Sequence, residues 1–253
     1  MDGMEWKRTK YSKPVRRFLQ YAEGLAVKYS HHLVADSTAV QTYLEKKYGV
    51  KSKYVPYGAA LPENAAVSIL KEFGVTQSGY YMLIARMEPE NNIDMILDGF
   101  CRSSCNKKFV VVGDYNNAFG KKMHAKYAKD QRIYFAGSIF DPEKLNALRS
   151  FCCIYFHGHS VGGTNPSLLE AMAAKAVIAA HNNEFNSAVL ERDAFYFNNA
   201  SDVLEIINNY RHTPGDDEKT GNNLKKIETV FNWPAVTDSY ATFMTDCFNQ
   251  QKK

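Results

Sequence analysis

From Tyr80 onward the chain alternates short apolar runs with segments of helical periodicity. Tyr80 to Ala85, Lys108 to Val112, Arg132 to Phe135, Cys152 to Phe156, Ala176 to Ala180 and Phe195 to Phe197 each have the length and the β-branched or aromatic content of a strand. Between them, Ile93 to Phe100, a stretch ending near Ala128, Pro142 to Ser150, the segment after Phe156 and Ser201 to Tyr210 repeat apolar positions at helical spacing. Strands that alternate with helices predict a parallel, right-handed, doubly wound α/β sheet, Rossmann-like in plan.

The pattern before Tyr80 is weaker. Leu33 to Ala35 reads as a short strand, Thr38 to Tyr48 as a helix capped by Ser37, and Tyr54 to Ala59 as a strand that ends in a turn. Small and polar residues from Pro62 to Ser68 lead into a further helix, which places a hinge near residues 58 to 78. The opening run Asp2 to Lys10 is basic and aromatic and continues through Lys13, Arg16 and Arg17. Such a run is a solvated helix face, or a surface that meets anionic lipid or a charged acceptor. At the other end, Asp216 to Thr229 reads as structural. Trp233 to Phe248 reads as an amphipathic helix with Tyr240, Phe243 and Met244 available for packing.

Composition narrows the function classes. With 253 residues and 45% hydrophobic content the chain can bury one α/β core and part of a second, and a net charge of +4 does not point to nucleic acid. No apolar run reaches the length of a membrane span, and no charged-then-apolar leader opens the chain. The five cysteines form no paired CxxC units, which fits a reduced, cytoplasmic protein, and Cys101 and Cys105 read as buried thiols on one helix face. His157 and His159 alternate after a strand, but no carboxylate or cysteine stands at matching spacing. They read as loop-orienting or substrate-facing side chains rather than metal ligands.

The chemistry concentrates at the carboxyl ends of the strands, where a doubly wound sheet binds its ligands. After the run ending at Phe156 come Gly158 to Ala173, a glycine-rich turn that opens a helix. Asn165 can cap that helix and Pro166 suits its first position. Gly162 and Gly163 allow positive φ and close approach of a ligand, and the helix N-terminus suits a phosphate or diphosphate. The same residues also suit an ordinary strand-to-helix connection, with Glu170 a solvated helix residue. Arg86, directly after the first strand of the sheet, can pair with diphosphate oxygens or with Glu88 or Glu90. Gly113-Asp114 and Gly137-Ser138-Ile139 follow the next two strands. His181 to Asn186 follows the fifth, where Asn182 and Glu184 are further polar candidates at the same sheet edge. No Gly-x-Gly-x-x-Gly follows the first strand, which argues against hydride transfer.

Pro166-Ser167-Leu168-Leu169-Glu170-Ala171-Met172-Ala173 resembles the donor-site signature of GT-B glycosyltransferases of the group 1 (family four) type. In those enzymes two glutamates stand eight positions apart. Glu170 matches the second, which holds the ribose of the nucleotide, and the first falls at Gly162. The string His159 to Ser167 is similar to a rhamnosyltransferase-like subgroup in which glycine is usual there. Arg86 matches a family arginine, and Asn91 replaces the lysine five positions later.

The resemblance implies a donor site made of Arg86, Asn91, Gly113, Gly137, His159, Gly162, Gly163, Thr164, Asn165, Ser167, Leu168 and Glu170. It assigns no catalytic residue. Its substrates are a nucleotide-sugar donor and a glycan or lipid-linked acceptor, and neither a metal nor a cofactor is required, in keeping with a sequence that has no Asp-x-Asp pair. Asp2 to Arg8 is similar to the middle of full-length members, so residues 1–60 are expected to be part of an acceptor-side domain. Residues 61–230 would then be the donor-binding domain and residues 231–253 a helix returning to the first part. The implied setting is polysaccharide synthesis at the cytoplasmic face of a membrane. A binding-only fragment, or an unrelated enzyme acting on a phosphate ester, remains the alternative.

Overall fold

The computed structural model describes residues 4–63 and 65–250, so Asp2 and Gly3 of the opening run and Asn64 of the polar stretch lie outside the described residues. A short 3-10 turn, Glu5–Lys7, precedes helix α1 (Lys13–Tyr29), strand β1 (Val34–Ala35), helix α2 (Thr38–Tyr48) and strand β2 (Lys53–Tyr54). The two strands pair in parallel. Helix α2 begins where the Val40 amide donates to Ser37 Oγ at 3.1 Å, and Gly49 ends it at φ 67°.

Around this small sheet a buried carboxylate ties three segments together. Glu23 of α1 is 5% exposed and accepts hydrogen bonds from Trp6 Nε1, Tyr43 and Tyr48 hydroxyls, and Lys47 Nζ. Lys47 also lies 4.8–5.1 Å from the centroids of those same three rings, a cation enclosed by aromatic faces.

Beyond a 3-10 segment, Val67–Phe73, the main sheet is built from β3 (Tyr80–Ile84), β4 (Lys108–Val112), β5 (Ile133–Gly137), β6 (Ile154–His157), β7 (Ile178–His181) and β8 (Phe195–Phe197). Helices α3 (Ile93–Cys101), α4 (Ala118–Tyr127), α5 (Pro142–Phe151), α6 (Pro166–Ala173) and α7 (Glu184–Leu190) connect them in turn. Helices α8 (Ala200–Asn209), α9 (Pro214–Thr229) and α10 (Trp233–Gln250) follow β8. All six strands are parallel, in the order β5-β4-β3-β6-β7-β8. This is the doubly wound α/β arrangement that the alternation predicts.

Side-chain alternation explains why these runs are apolar throughout. Tyr80, Met82, Val110, Val112 and Tyr155 pack on one face, with α5, α6 and α9 contributing Leu148, Leu168, Met172 and Ile227. Tyr81, Leu83, Phe109, Val111, Ile154 and Phe156 pack on the other, against Ile96 and Phe100 of α3, Met123 of α4 and Val203 of α8. A strand covered on both faces has no solvent side on which to place polar residues.

Three elements depart from the sequence pattern. The strand expected from Tyr54 to Ala59 pairs only at Lys53–Tyr54, because Pro56 lacks a ladder donor and Gly58 is pressed against the Trp233 backbone and ring. The polar stretch after His181 contains α7, capped by Asn183, whose side chain accepts from the Phe185 and Asn186 amides. Along α10 only Val236 is buried. Tyr240 and Met244 face solvent, while Phe243 meets His32 edge-on at 5.9 Å.

Candidate functional site

The strand order reverses between β3 and β6, and a cleft of ≈ 630 Å³ opens at their carboxyl ends. Arg86, Asn91, Gly113, His159, Asn165, Ser167 and Glu170 all line it. A smaller cavity of ≈ 230 Å³ abuts it, sharing Arg86, His159, Asn165 and Pro166, and is lined in addition by Gly162, Gly163, Thr164, Arg8 and Asp36. Gly137 and Leu168 line neither. Gly137 ends β5 at φ 70° and accepts from the Gly113 amide at 2.9 Å, so it shapes the turn that brings Ser138 and Ile139 to the cleft. Leu168 belongs to the core. Asn182 and Glu184 also fall outside both cavities, because the α7 helix turns Glu184 toward Lys7, at 3.9 Å.

Arg86 is exposed, and among the described residues no carboxylate pairs with it. Its two sequence-local partners are engaged elsewhere: Glu88 faces Lys10 at 3.9 Å and buried Glu90 faces Arg8 at 3.9 Å. The guanidinium is thus available to an anion entering the cleft, and it can bind one bidentately.

Asn91 behaves differently from a lysine at its position. It is buried, its Nδ2 donates to the Arg86 carbonyl at 2.7 Å, and its Oδ1 accepts from His159 Nδ1 at 2.8 Å. Its amide therefore joins the loop after β3 to the loop after β6. The second loop is held from behind as well, since Asn183 Nδ2 and Asn186 Nδ2 both donate to the His159 carbonyl at 3.0 Å. Burial, then the charges of Arg8 and Arg86, push the His159 imidazole down to about 4. His157 is pushed down to about 3 by burial and by His159. Both rings are neutral at pH 7.

The start of α6 is tighter than an open anion site. Asn165 Oδ1 accepts from the Ser167 amide at 2.9 Å and the Asn165 carbonyl accepts from Leu168 at 3.0 Å, so two amides of the first turn are occupied. What faces an anion there is the positive end of the helix dipole together with the glycine loop. In that loop Gly162 sits at φ 122°. A Cβ on Gly163 would stand 1.9 Å from Asp36 Oδ1, so the residue after β1 packs its carboxylate against the loop. Thr164 Oγ1 donates to the Asp36 carbonyl oxygen at 2.6 Å.

Glu170 rises from the second turn of α6, where its carboxylate accepts from Nη2 of the buried Arg149. Beneath it the Tyr155 and Ser167 hydroxyls share a 2.5 Å hydrogen bond.

Sequence reasoning passes over Arg149, Arg8 and Asp36. Arg149 follows Ala147 and Leu148 in the buried part of α5, and a charge among buried positions is a legible signal of a paired group. Asp36 directly follows β1, so the strand-end rule applied to the small sheet would have found it. Nothing local marks Arg8.

Residues 1–60 match the family model described as a domain of unknown function (DUF1972). No curated protein matches by sequence. Among solved structures, Anabaena Alr3699/HepE in complex with UDP-glucose is 17% identical, with a TM-score of 0.79 over 94% of this chain and 69% of that one. Its complex with UDP and glucose gives 18% and 0.77, over 94% and 68%. Sucrose-phosphate synthase from Thermosynechococcus elongatus is 14% identical, with a TM-score of 0.76 over 95% of this chain and 63% of that one. These likenesses establish the fold, the Rossmann-like α/β architecture of GT-B glycosyltransferases. None of the described helices is long and apolar enough to cross a membrane.

Proposed function

We propose that the cleft binds a nucleotide diphosphate sugar and that the protein transfers the sugar to a glycan or lipid-linked acceptor. One observation carries the reading: Arg86, exposed and without a carboxylate partner among the described residues, lines the same switch-point cleft as Glu170 and the α6 N-terminus. A diphosphate lying between Arg86 and that helix end would meet positive charge on two sides. The same groups would stabilise the charge that develops on the leaving nucleotide as the sugar gains oxocarbenium character. Charge compensation by the guanidinium removes the need for a bridging metal ion. The nucleoside would extend along Gly113-Asp114 and Ser138-Ile139, with its ribose at Glu170, and the sugar would enter the smaller cavity beside Gly162, Gly163 and Thr164.

Complexes of HepE with UDP-glucose, on the same fold, support a nucleotide-sugar ligand. The His159 to Ser167 string supports rhamnose carried on dTDP and a setting in polysaccharide synthesis at the inner membrane face. The basic face of α1 (Lys13, Arg16, Arg17) is suited to peripheral contact with anionic lipid.

Calorimetric titration with UDP, dTDP and GDP tests the reading. At least one binds, and Arg86→Ala and Glu170→Ala each weaken it about tenfold or more, the scale of a lost charge-assisted hydrogen bond. Failure of all three to bind at millimolar concentration, or unchanged affinity in both variants, rejects it. Donor turnover with the matching sugar nucleotides then separates transfer from binding alone.

A further inference from the structure

The smaller cavity has one carboxylate among the described residues of its wall, and the main sheet does not supply it. Asp36 directly follows β1 of the two-stranded sheet, within the stretch that matches the family model over residues 1–60. Its backbone is pinned by its neighbours. The Val55 amide donates to the Ala35 carbonyl at 2.9 Å, the Thr164 hydroxyl donates to the Asp36 carbonyl at 2.6 Å, and buried Ser37 caps α2. The side chain is placed as closely, because the Cβ that Gly163 lacks would stand 1.9 Å from Oδ1, 2.0 Å from Oδ2 and 2.2 Å from Cγ. The carboxylate thus meets the glycine loop with both oxygens forward, in space that any other residue at 163 would fill. Around it the wall is polar: Arg8, whose Nε lies 2.5 Å from Glu5 Oε1, with Tyr57, Arg86, His159 and Thr164.

A sugar presents hydroxyl donors, and an ionised carboxylate accepts from such donors at either oxygen more strongly than a neutral group does. We propose that Asp36 is a binding residue for the transferred sugar, so that the segment around the small sheet completes the donor site instead of serving the acceptor alone. The proposal rests on the nucleotide-sugar reading of the cleft and adds to it a contact from outside the main sheet. That contact is separable from nucleotide binding. Asp36 lines the smaller cavity and not the cleft, so it acts on the sugar while Arg86, Glu170 and the strand-end loops act on the nucleotide.

Calorimetry on the full chain compares each nucleotide diphosphate with a sugar conjugate: UDP with UDP-glucose, dTDP with dTDP-rhamnose, and GDP with GDP-mannose. For the conjugate that binds the wild type best, Asp36→Asn, which keeps the shape but gives up the charge and one acceptor, weakens binding at least about fivefold. Affinity for the parent nucleotide stays within about twofold, less than the worth of one ordinary hydrogen bond. A purely structural Asp36 would weaken both by one factor, and that result overturns the proposal, as does a conjugate affinity that Asp36→Asn leaves unchanged. Should the variant fail to fold, wild-type crystals soaked with the same conjugate decide. A sugar oxygen within about 3.2 Å of an Asp36 carboxylate oxygen supports the assignment, and a sugar with every oxygen beyond that reach overturns it. If none of the three nucleotides binds the wild type, the cleft reading itself fails. If a nucleotide binds and its conjugate is indifferent to Asp36, only the assignment of Asp36 fails.

Discussion

Replacing Gly158 by alanine probes how the two strand-end loops are locked together without touching a charged group. A Cβ there would stand 2.0 Å from the Asn91 carbonyl oxygen and 2.9 Å from both the Asn91 carbonyl carbon and Ile96 Cδ1. The obstacle is backbone, so relief requires the loop after β3 or the end of β6 to move by more than an ångström. That loop is tied down: Asn91 holds the Arg86 carbonyl and His159, and Asn92 Nδ2 donates to the Gly158 carbonyl at 2.8 Å. Forcing a methyl into such a contact costs about 1–3 kcal/mol. In a chain of this size that lowers the melting temperature by about 2–12 °C. Nucleotide affinity falls with it, because the shifted carbonyls are those that aim Arg86, although the new methyl points at Asn91. Gly24→Ala is the matched control, since Gly24 lies within α1 with nothing near its missing Cβ, and it should hold or raise stability by up to about 1 kcal/mol. Calorimetric melts of both variants decide the point. A Gly158→Ala protein melting within about 1 °C of wild type would refute the locked-loop reasoning.

Two further predictions concern pH. Burial alone would raise the Glu23 carboxyl, but the Lys47 ammonium and the Tyr43 and Tyr48 hydroxyls outweigh it and hold the group below its ordinary value. The stability it contributes is therefore complete above the ordinary glutamate range and is lost as pH falls through the depressed value. Glu23→Gln should lower the urea midpoint at pH 7 and flatten the acid limb of the profile, and an unchanged midpoint argues against the cage as a stabilising element. His157 and His159, held down to about 3 and about 4, bind protons only in the unfolded chain as pH drops from about 6.5. Stability should fall over that window by at most about 1.4 kcal/mol per pH unit for each, and flat denaturant midpoints between pH 7 and 5 would contradict this.

The sheet was legible because its strands are covered on both faces, which forces unbroken apolar runs such as Tyr80 to Ile84 and Phe109 to Val112. Caps were legible too, since Ser37 and Asn165 act through their own neighbours in sequence. The α7 helix was hidden by its polar first turn, which reads as loop until Asn183 is seen to cap it. At the site, sequence located Arg86 and Glu170 but not their constraints. An asparagine in a lysine's place looks like a donor to the ligand, yet the packing of the two loops turns Asn91 inward. Arg8, Asp36 and Arg149 reach the site only through tertiary contacts, the first two from elements about the small sheet. The occupied amides of Ser167 and Leu168 likewise depend on backbone geometry that residue identity does not reveal.

The proposed place for the diphosphate is between Arg86 and the start of α6. A crystal structure of the protein soaked with a nucleotide diphosphate that binds in solution tests it most directly. Phosphate oxygens are expected within hydrogen-bond reach of the Arg86 guanidinium, with the nucleoside sugar at Glu170. A nucleotide bound elsewhere, or bound in the cleft with Arg86 turned away from its phosphates, would contradict it.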